Sequence, residues 1–124
     1  MLRVLMVESD PTLAWLYREE LRDAGFSVEI KRDLNSAKAA MRAHRPHVLV
    51  TDIGSMGRAP EAWLPQFRRE FSLPVVLLGE GKAFCGQRRE TRIVPKTSDI
   101  KPLIDSLRGH AVKVLWRQAA AMPC

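Results

Sequence analysis

The stretch His47-Val48-Leu49-Val50-Thr51-Asp52-Ile53 decides the fold. Its apolar character is nearly continuous, not alternating, which is the pattern of a central parallel strand buried on both faces. It closes on a carboxylate, Asp52, and a glycine-containing loop follows, Gly54-Ser55-Met56-Gly57. A second apolar run, Leu2-Arg3-Val4-Leu5-Met6-Val7, ends in the polar group Glu8-Ser9-Asp10. Asp10-Pro11 then predicts a helix start, because Asp caps free N–H groups and Pro suits the first helical position. Leu13, Leu16, Tyr17, Leu21 and Ala24 recur at helical spacing up to a stop at Gly25.

The rest of the chain repeats this alternation. Phe26 to Lys31 reads as a strand, and Asn35 or Ser36 caps a helix carrying Ala37, Ala40, Met41 and Ala43 that closes before Pro46. Pro60 opens a third helix with Trp63, Leu64, Phe67 and Phe71, and Pro65 belongs to its first turns because a later proline would break it. Leu73 to Leu78 is a fourth strand ending at Gly79, and Arg92 to Pro95 is a short fifth. Ser98 caps a last helix whose periodic face holds Ile100, Leu103, Ile104, Leu107, Val112, Leu115 and Trp116. Strands alternating with helices predict an α/β domain: a five-stranded parallel sheet with helices on both faces. The fourth helix is expected to be short or irregular, since Glu80 to Thr91 is rich in Gly, Lys and Arg.

The 124 residues suit one hydrophobic core. We expect a single domain over 1–117 and a tail over 118–124, with no output module in this chain. A content of 46% hydrophobic and 27% charged residues is that of an ordinary globular protein. No apolar run is long enough to cross a bilayer, and the N-terminus lacks the long apolar core of a secretory signal. The expectation is a cytoplasmic protein with no membrane partner. Cys85 and Cys124 are far apart and without a neighbouring thiol or histidine, which argues against a disulfide framework or a zinc site. His44, His47 and His110 are read as loop or surface residues. The net charge is +6 and the pI is about 9.9. The basic residues are nonetheless scattered over faces that would meet water, so direct nucleic-acid binding is not expected.

In an open parallel sheet, ligands gather beyond the carboxyl ends of the strands. That directs attention to Glu8, Ser9 and Asp10 after the first strand, Asp52 after the third, Gly79 and Glu80 after the fourth, and Lys96 after the fifth. A carboxylate accepts a phosphoryl group only if a cation offsets the repulsion between two anions. A lysine and a Mg²⁺ ion with one or two protein carboxylates do so.

The segments Val4 to Pro11, Val48 to Asp52, Leu73 to Leu78 and Val94 to Asp99 resemble the receiver domain of two-component response regulators, a flavodoxin-like fold, from about Leu2 to Leu107. The resemblance implies a non-enzymatic signalling domain in a phosphorelay. Asp52 would be the phosphoacceptor and Lys96 the partner of the phosphoryl group. Glu8, Asp52 and the backbone carbonyl of Gly54 would hold Mg²⁺. Ser9 or Asp10 is a further candidate ligand, although Asp10 also suits a helix cap. The implied partners are a histidine kinase or phosphotransfer protein, a downstream protein, and a second copy of the chain.

Several positions depart from the family pattern. Ser9 stands where a second acid is usual, which lowers the expected metal affinity. Gly79 replaces the Ser or Thr whose hydroxyl follows the phosphoryl group, Ile93 replaces the switching aromatic, and Thr97 replaces the proline after the lysine. These changes leave a second reading open: a pseudo-receiver, a protein–protein interaction module that works without phosphorylation. A phosphatase or a flavin protein of similar topology fits less well. Gly54 stands where the phosphatase would need an acid, and the acidic Glu8-Ser9-Asp10 group would repel a flavin phosphate.

Overall fold

The computed structural model describes residues 2–79, 91–96 and 99–109. The elements run β1 (Arg3–Val7), α1 (Pro11–Asp23), β2 (Ser27–Lys31), α2 (Leu34–Ala43) and β3 (Val48–Asp52). A 3₁₀ turn (Ile53–Met56), α3 (Pro60–Glu70), β4 (Val75–Leu78) and β5 (Thr91–Val94) follow. Residues 101–109 form a last helix. The five strands make one sheet in the order β2-β1-β3-β4-β5, and every pairing is parallel. This is the expected α/β architecture.

Side-chain alternation along the strands divides the core into two layers. Val4, Met6, Val48, Val50, Val76 and Leu78 face one way and pack with Tyr17 and Leu21 of α1 and Leu103 and Leu107 of the last helix. Leu5, Val7, Leu49, Val75 and Leu77 face the other way, against Ala37 and Met41 of α2 and Trp63, Leu64 and Phe67 of α3. All five residues of β3 are buried, as its unbroken apolar run requires.

Local signals set most element ends. Asp10 caps α1, its side chain accepting from the N–H groups of Thr12 and Leu13 with Pro11 at the first helical position. The second helix starts earlier than the sequence suggests. Asp33, not Asn35 or Ser36, is its cap and accepts from Ser36 N–H. An Asp two to three residues upstream satisfies the same free amides, and its carboxylate is the stronger acceptor. That bond, the first cause, holds the Asp33 carboxyl below its ordinary value. Leu16, placed on the apolar face of α1, is instead exposed. Ala43 of α2 is exposed as well. Pro65 lies inside α3 without ending it. His47 Nδ1 accepts from Arg3 N–H at 2.9 Å, so it ties the start of β3 to β1. Burial, with help from the Arg3 charge and the N-terminus, holds its imidazole below the ordinary value.

Several sequence expectations fall on residues outside the described set. These are the irregular fourth helix at 80–90, the Ser98 cap, Val112, Leu115 and Trp116, Cys85, Cys124 and His110, and the boundary between 117 and 118. At the start of the last helix, Asp99 Oδ1 accepts from Lys101 N–H at 2.9 Å.

Candidate functional site

Register alone assembles the site. Val7 pairs with Thr51, so Glu8 and Asp52 emerge side by side at the carboxyl edge where the winding of the sheet reverses. Asp52 pairs with Leu78 and Leu78 with Val94, which brings Gly79 and the segment carrying Lys96 to the same edge. Glu8 and Asp52 are both buried. Two buried carboxylates side by side require a cation, and Lys96 supplies it. Its Nζ lies 2.8 Å from Glu8 Oε1 and 3.0 Å from Asp52 Oδ1. Burial pulls the Lys96 ammonium down, but the hydrogen bonds and charges of Glu8 and Asp52 outweigh it, and the group is held above its ordinary value of 10.5.

The other carboxylate oxygens meet a residue that the sequence reading passed over. Ser55 Oγ lies 2.7 Å from Asp52 Oδ2 and 3.2 Å from Glu8 Oε2. Asp52, Lys96, Glu8 and Ser55 therefore form a closed ring. Ser55 reaches it because a 3₁₀ turn has about three residues per turn and so stacks position i+3 over position i. Gly57, at φ 69°, closes that turn in the left-handed region. The available signal was the three-residue step from Asp52 to Ser55, with Ser55 lying between Gly54 and Gly57. Ser9 supports the ring from outside: its Oγ is 2.9 Å from Ser55 Oγ, and its N–H donates to the same oxygen at 3.0 Å.

The remaining candidates divide clearly. Asp10 turns its side chain to the helix amides, and its backbone N–H donates to Glu8 Oε2 at 3.1 Å. Its role is the cap. Gly54 lies in the 3₁₀ turn, where an added Cβ would sit 3.5 Å from Asp52 Oδ2, an ordinary contact. Ile93 packs half-buried against the α2/α3 layer. Tyr17 of α1 is buried within reach of the charges of the site. Burial, opposed by the Lys96 charge and assisted by Glu8 and Asp52, holds its phenol above the ordinary range. Among the described residues, no three His, Cys, Asp or Glu side chains gather as a metal cluster.

Gly79 is more than a missing hydroxyl. Its φ is +143°, and an added Cβ would lie 3.2 Å from Ile53 Cδ1 and 3.3 Å from Ile53 Cβ. Introducing a serine by Gly79→Ser therefore combines backbone strain with a tight contact against Ile53. The expected loss is about 2 kcal/mol of unfolding free energy in urea melts. A loss below about 0.5 kcal/mol would show that the strand end relaxes freely.

Comparison with solved structures shows the same fold. A chain from the complex of histidine kinase ThkA with response regulator TrrA of Thermotoga maritima superposes with a TM-score of 0.73 at 17% identity, covering 89% of this chain and 98% of that one. The chemotaxis response regulator CheY4 of Vibrio cholerae gives 0.71 at 21% identity, covering 89% and 98%. This chain has the receiver fold. The pseudo-receiver domain of CikA also shares the fold, with a TM-score of 0.68 at 23% identity over 90% and 98% of the two chains. No protein-family model matches the sequence, and neither does any curated protein. The receiver fold accounts for the placement of Glu8, Asp52 and Lys96 at one edge. Among the described residues, no helix is long and apolar enough to cross a membrane.

Proposed function

We propose that the chain is a receiver-type signalling module that accepts a phosphoryl group on Asp52. The observation that carries this reading is the Lys96 ammonium, bonded at once to Asp52 and to Glu8 at the switch point of the sheet. The donor would be a histidine kinase or phosphotransfer protein; supporting this, the structurally similar TrrA chain is seen in complex with the histidine kinase ThkA. An Asp52 oxygen forms the new O–P bond as the bond from phosphorus to the donor's imidazole nitrogen breaks, and the imidazole departs with the electron pair. Lys96 then follows the phosphoryl oxygens and offsets their charge. The chain is a stoichiometric acceptor, not a turnover enzyme, and a cytoplasmic setting goes with this role.

A divalent cation fits the donor chemistry. Two carboxylates and two hydroxyls are all oxygen donors, and the Glu8, Asp52 and Lys96 charges sum to one negative charge. Mg²⁺ is commonly held by one or two carboxylates with water completing its shell. Glu8 and Asp52 would hold it. When bound, it would offset the charge of the incoming phosphoryl group. The site lacks a second acid at Ser9, so the affinity should be modest.

A second reading rests on Gly79. With no hydroxyl at this position, and a side chain there strained and tight against Ile53, the charge on Asp52 has no hydroxyl at the end of β4 to draw inward. A pseudo-receiver that binds a downstream protein, or a second copy, without phosphorylation would tolerate this. The deciding experiment incubates the protein with acetyl phosphate over a range of Mg²⁺ concentrations and reads intact mass, with Asp52→Asn as control. Gain of one phosphoryl group, absent in the variant, supports the acceptor. No gain at any Mg²⁺ concentration overturns it in favour of the pseudo-receiver.

A further inference from the structure

The contacts around Ser55 outnumber what its hydroxyl can serve. The oxygen has one proton to give and two lone pairs with which to accept. Ser9 N–H, 3.0 Å away, fills one lone pair, and Ser9 Oγ, 2.9 Å away, can either donate to this oxygen or accept from it. The single proton can go to Ser9 Oγ, which leaves the second lone pair of Ser55 free for a cation; if it goes to a carboxylate instead, Asp52 Oδ2 at 2.7 Å is the closer. Glu8 Oε2, 3.2 Å from the same oxygen, already accepts from Asp10 N–H. In either arrangement the Ser55 and Glu8 oxygens face each other with no proton between them. Lys96 cannot help, because its bonds go to the opposite oxygens of both acids.

The spacing also suits a cation. Mg²⁺ binds oxygen at about 2.1 Å in octahedral geometry, so adjacent ligand oxygens are about 3 Å apart. The separations within the Asp52–Ser55–Glu8 set, 2.7 and 3.2 Å, bracket that value. Gly54 keeps this side open, since it places no side chain beside Asp52 Oδ2.

We propose that Ser55 Oγ is a divalent-cation ligand of this chain, joining Glu8 and Asp52 and taking the place of the acid absent at Ser9, with Ser9 positioning it. The inference rests on the reading of this pocket as a cation-assisted acceptor site, and it adds a ligand three residues beyond the acceptor. A hydroxyl brings no charge, so the site binds Mg²⁺ weakly but retains a third protein oxygen.

The test is calorimetric titration of the native protein and its variants with MgCl₂, independent of any phosphoryl transfer. Ser55→Ala should weaken Mg²⁺ binding by about tenfold or more, and Ser55→Thr, which keeps the oxygen, should retain it. Ser55→Cys should lose Mg²⁺ and gain Cd²⁺ relative to the native chain, since a thiolate is a soft ligand. Packing alone would not produce that exchange of preference. Thermal unfolding of each variant checks that it is folded. Mg²⁺ binding by Ser55→Ala equal to or tighter than native overturns the proposal, as does absence of Mg²⁺ binding by the native protein. If Mg²⁺ binds and depends on Ser55 while acetyl phosphate adds no mass, the acceptor reading fails and the ligand assignment stands.

Discussion

Lys96→Met is expected to lower the unfolding free energy by about 3 kcal/mol at neutral pH. The side chain keeps most of its volume, so the loss isolates the charge. Without the ammonium, Glu8 and Asp52 remain as two buried carboxylates sharing one edge, their side chains only 1% and 10% exposed. Breaking a buried ion pair by removing one partner typically costs about 3–5 kcal/mol. The lower end applies here because Lys96 itself keeps 26% of its side chain in contact with solvent. The pH dependence has a definite sign. The folded protein holds the Lys96 proton more tightly than the unfolded chain, whose value is near 10.5. The contribution is therefore fully present below that pH and is lost as pH rises through the folded value. Urea melts of both proteins should show a constant difference from pH 7 to about 10 that shrinks above it. A difference that persists unchanged into strong alkali would mean that lost packing, not lost charge, destabilises the variant.

Phe67→Ala should cost more, about 4 kcal/mol. Phe67 is fully buried and stands between Trp63, at 5.9 Å with the rings nearly perpendicular, and Phe71, at 5.2 Å and tilted. These rings form the centre of the layer between α3 and the sheet. Removing such a side chain forfeits its transfer free energy and leaves a cavity, together about 3–5 kcal/mol. Against a typical domain stability of about 5–15 kcal/mol, that brings the variant close to unfolding at ordinary temperature. Equilibrium denaturation is the check. A cost below about 1.5 kcal/mol would show that α3 settles onto the sheet and closes the gap. α3 already tolerates Pro65 within its length, so some freedom of that kind is a real alternative outcome.

The two variants probe different levels of legibility. Phe67 was readable as core from helical spacing with Trp63, Leu64 and Phe71, because amphipathic periodicity is a local property. Strand β3 was readable from an equally local signal: a short, nearly unbroken apolar run suits a strand covered on both faces. The Asp10-Pro11 start of α1 was read correctly from capping chemistry. The Asp33 cap was missed, since Asp33, Asn35 and Ser36 all cap well and the sequence does not rank them. Leu16 was placed inside on spacing alone, yet it lies toward the edge of the apolar face of α1 and is 41% exposed.

The sequence by itself determined the alternation of strands and helices, and with it the parallel sheet whose carboxyl edge gathers Glu8, Asp52 and Lys96. Right-handed crossovers leave few other ways to wind such a chain. Only the tertiary structure decided how those residues meet. Lys96 bonds Glu8 across 88 positions of sequence, Ser55 joins both acids from a single 3₁₀ turn, and Gly79 sits beside Ile53 at a φ that other residues rarely adopt. Periodicity and capping are set within a few residues of chain. A hydrogen bond depends on distances of a few tenths of an ångström, and those are fixed only when the strands are in register and the layers are packed.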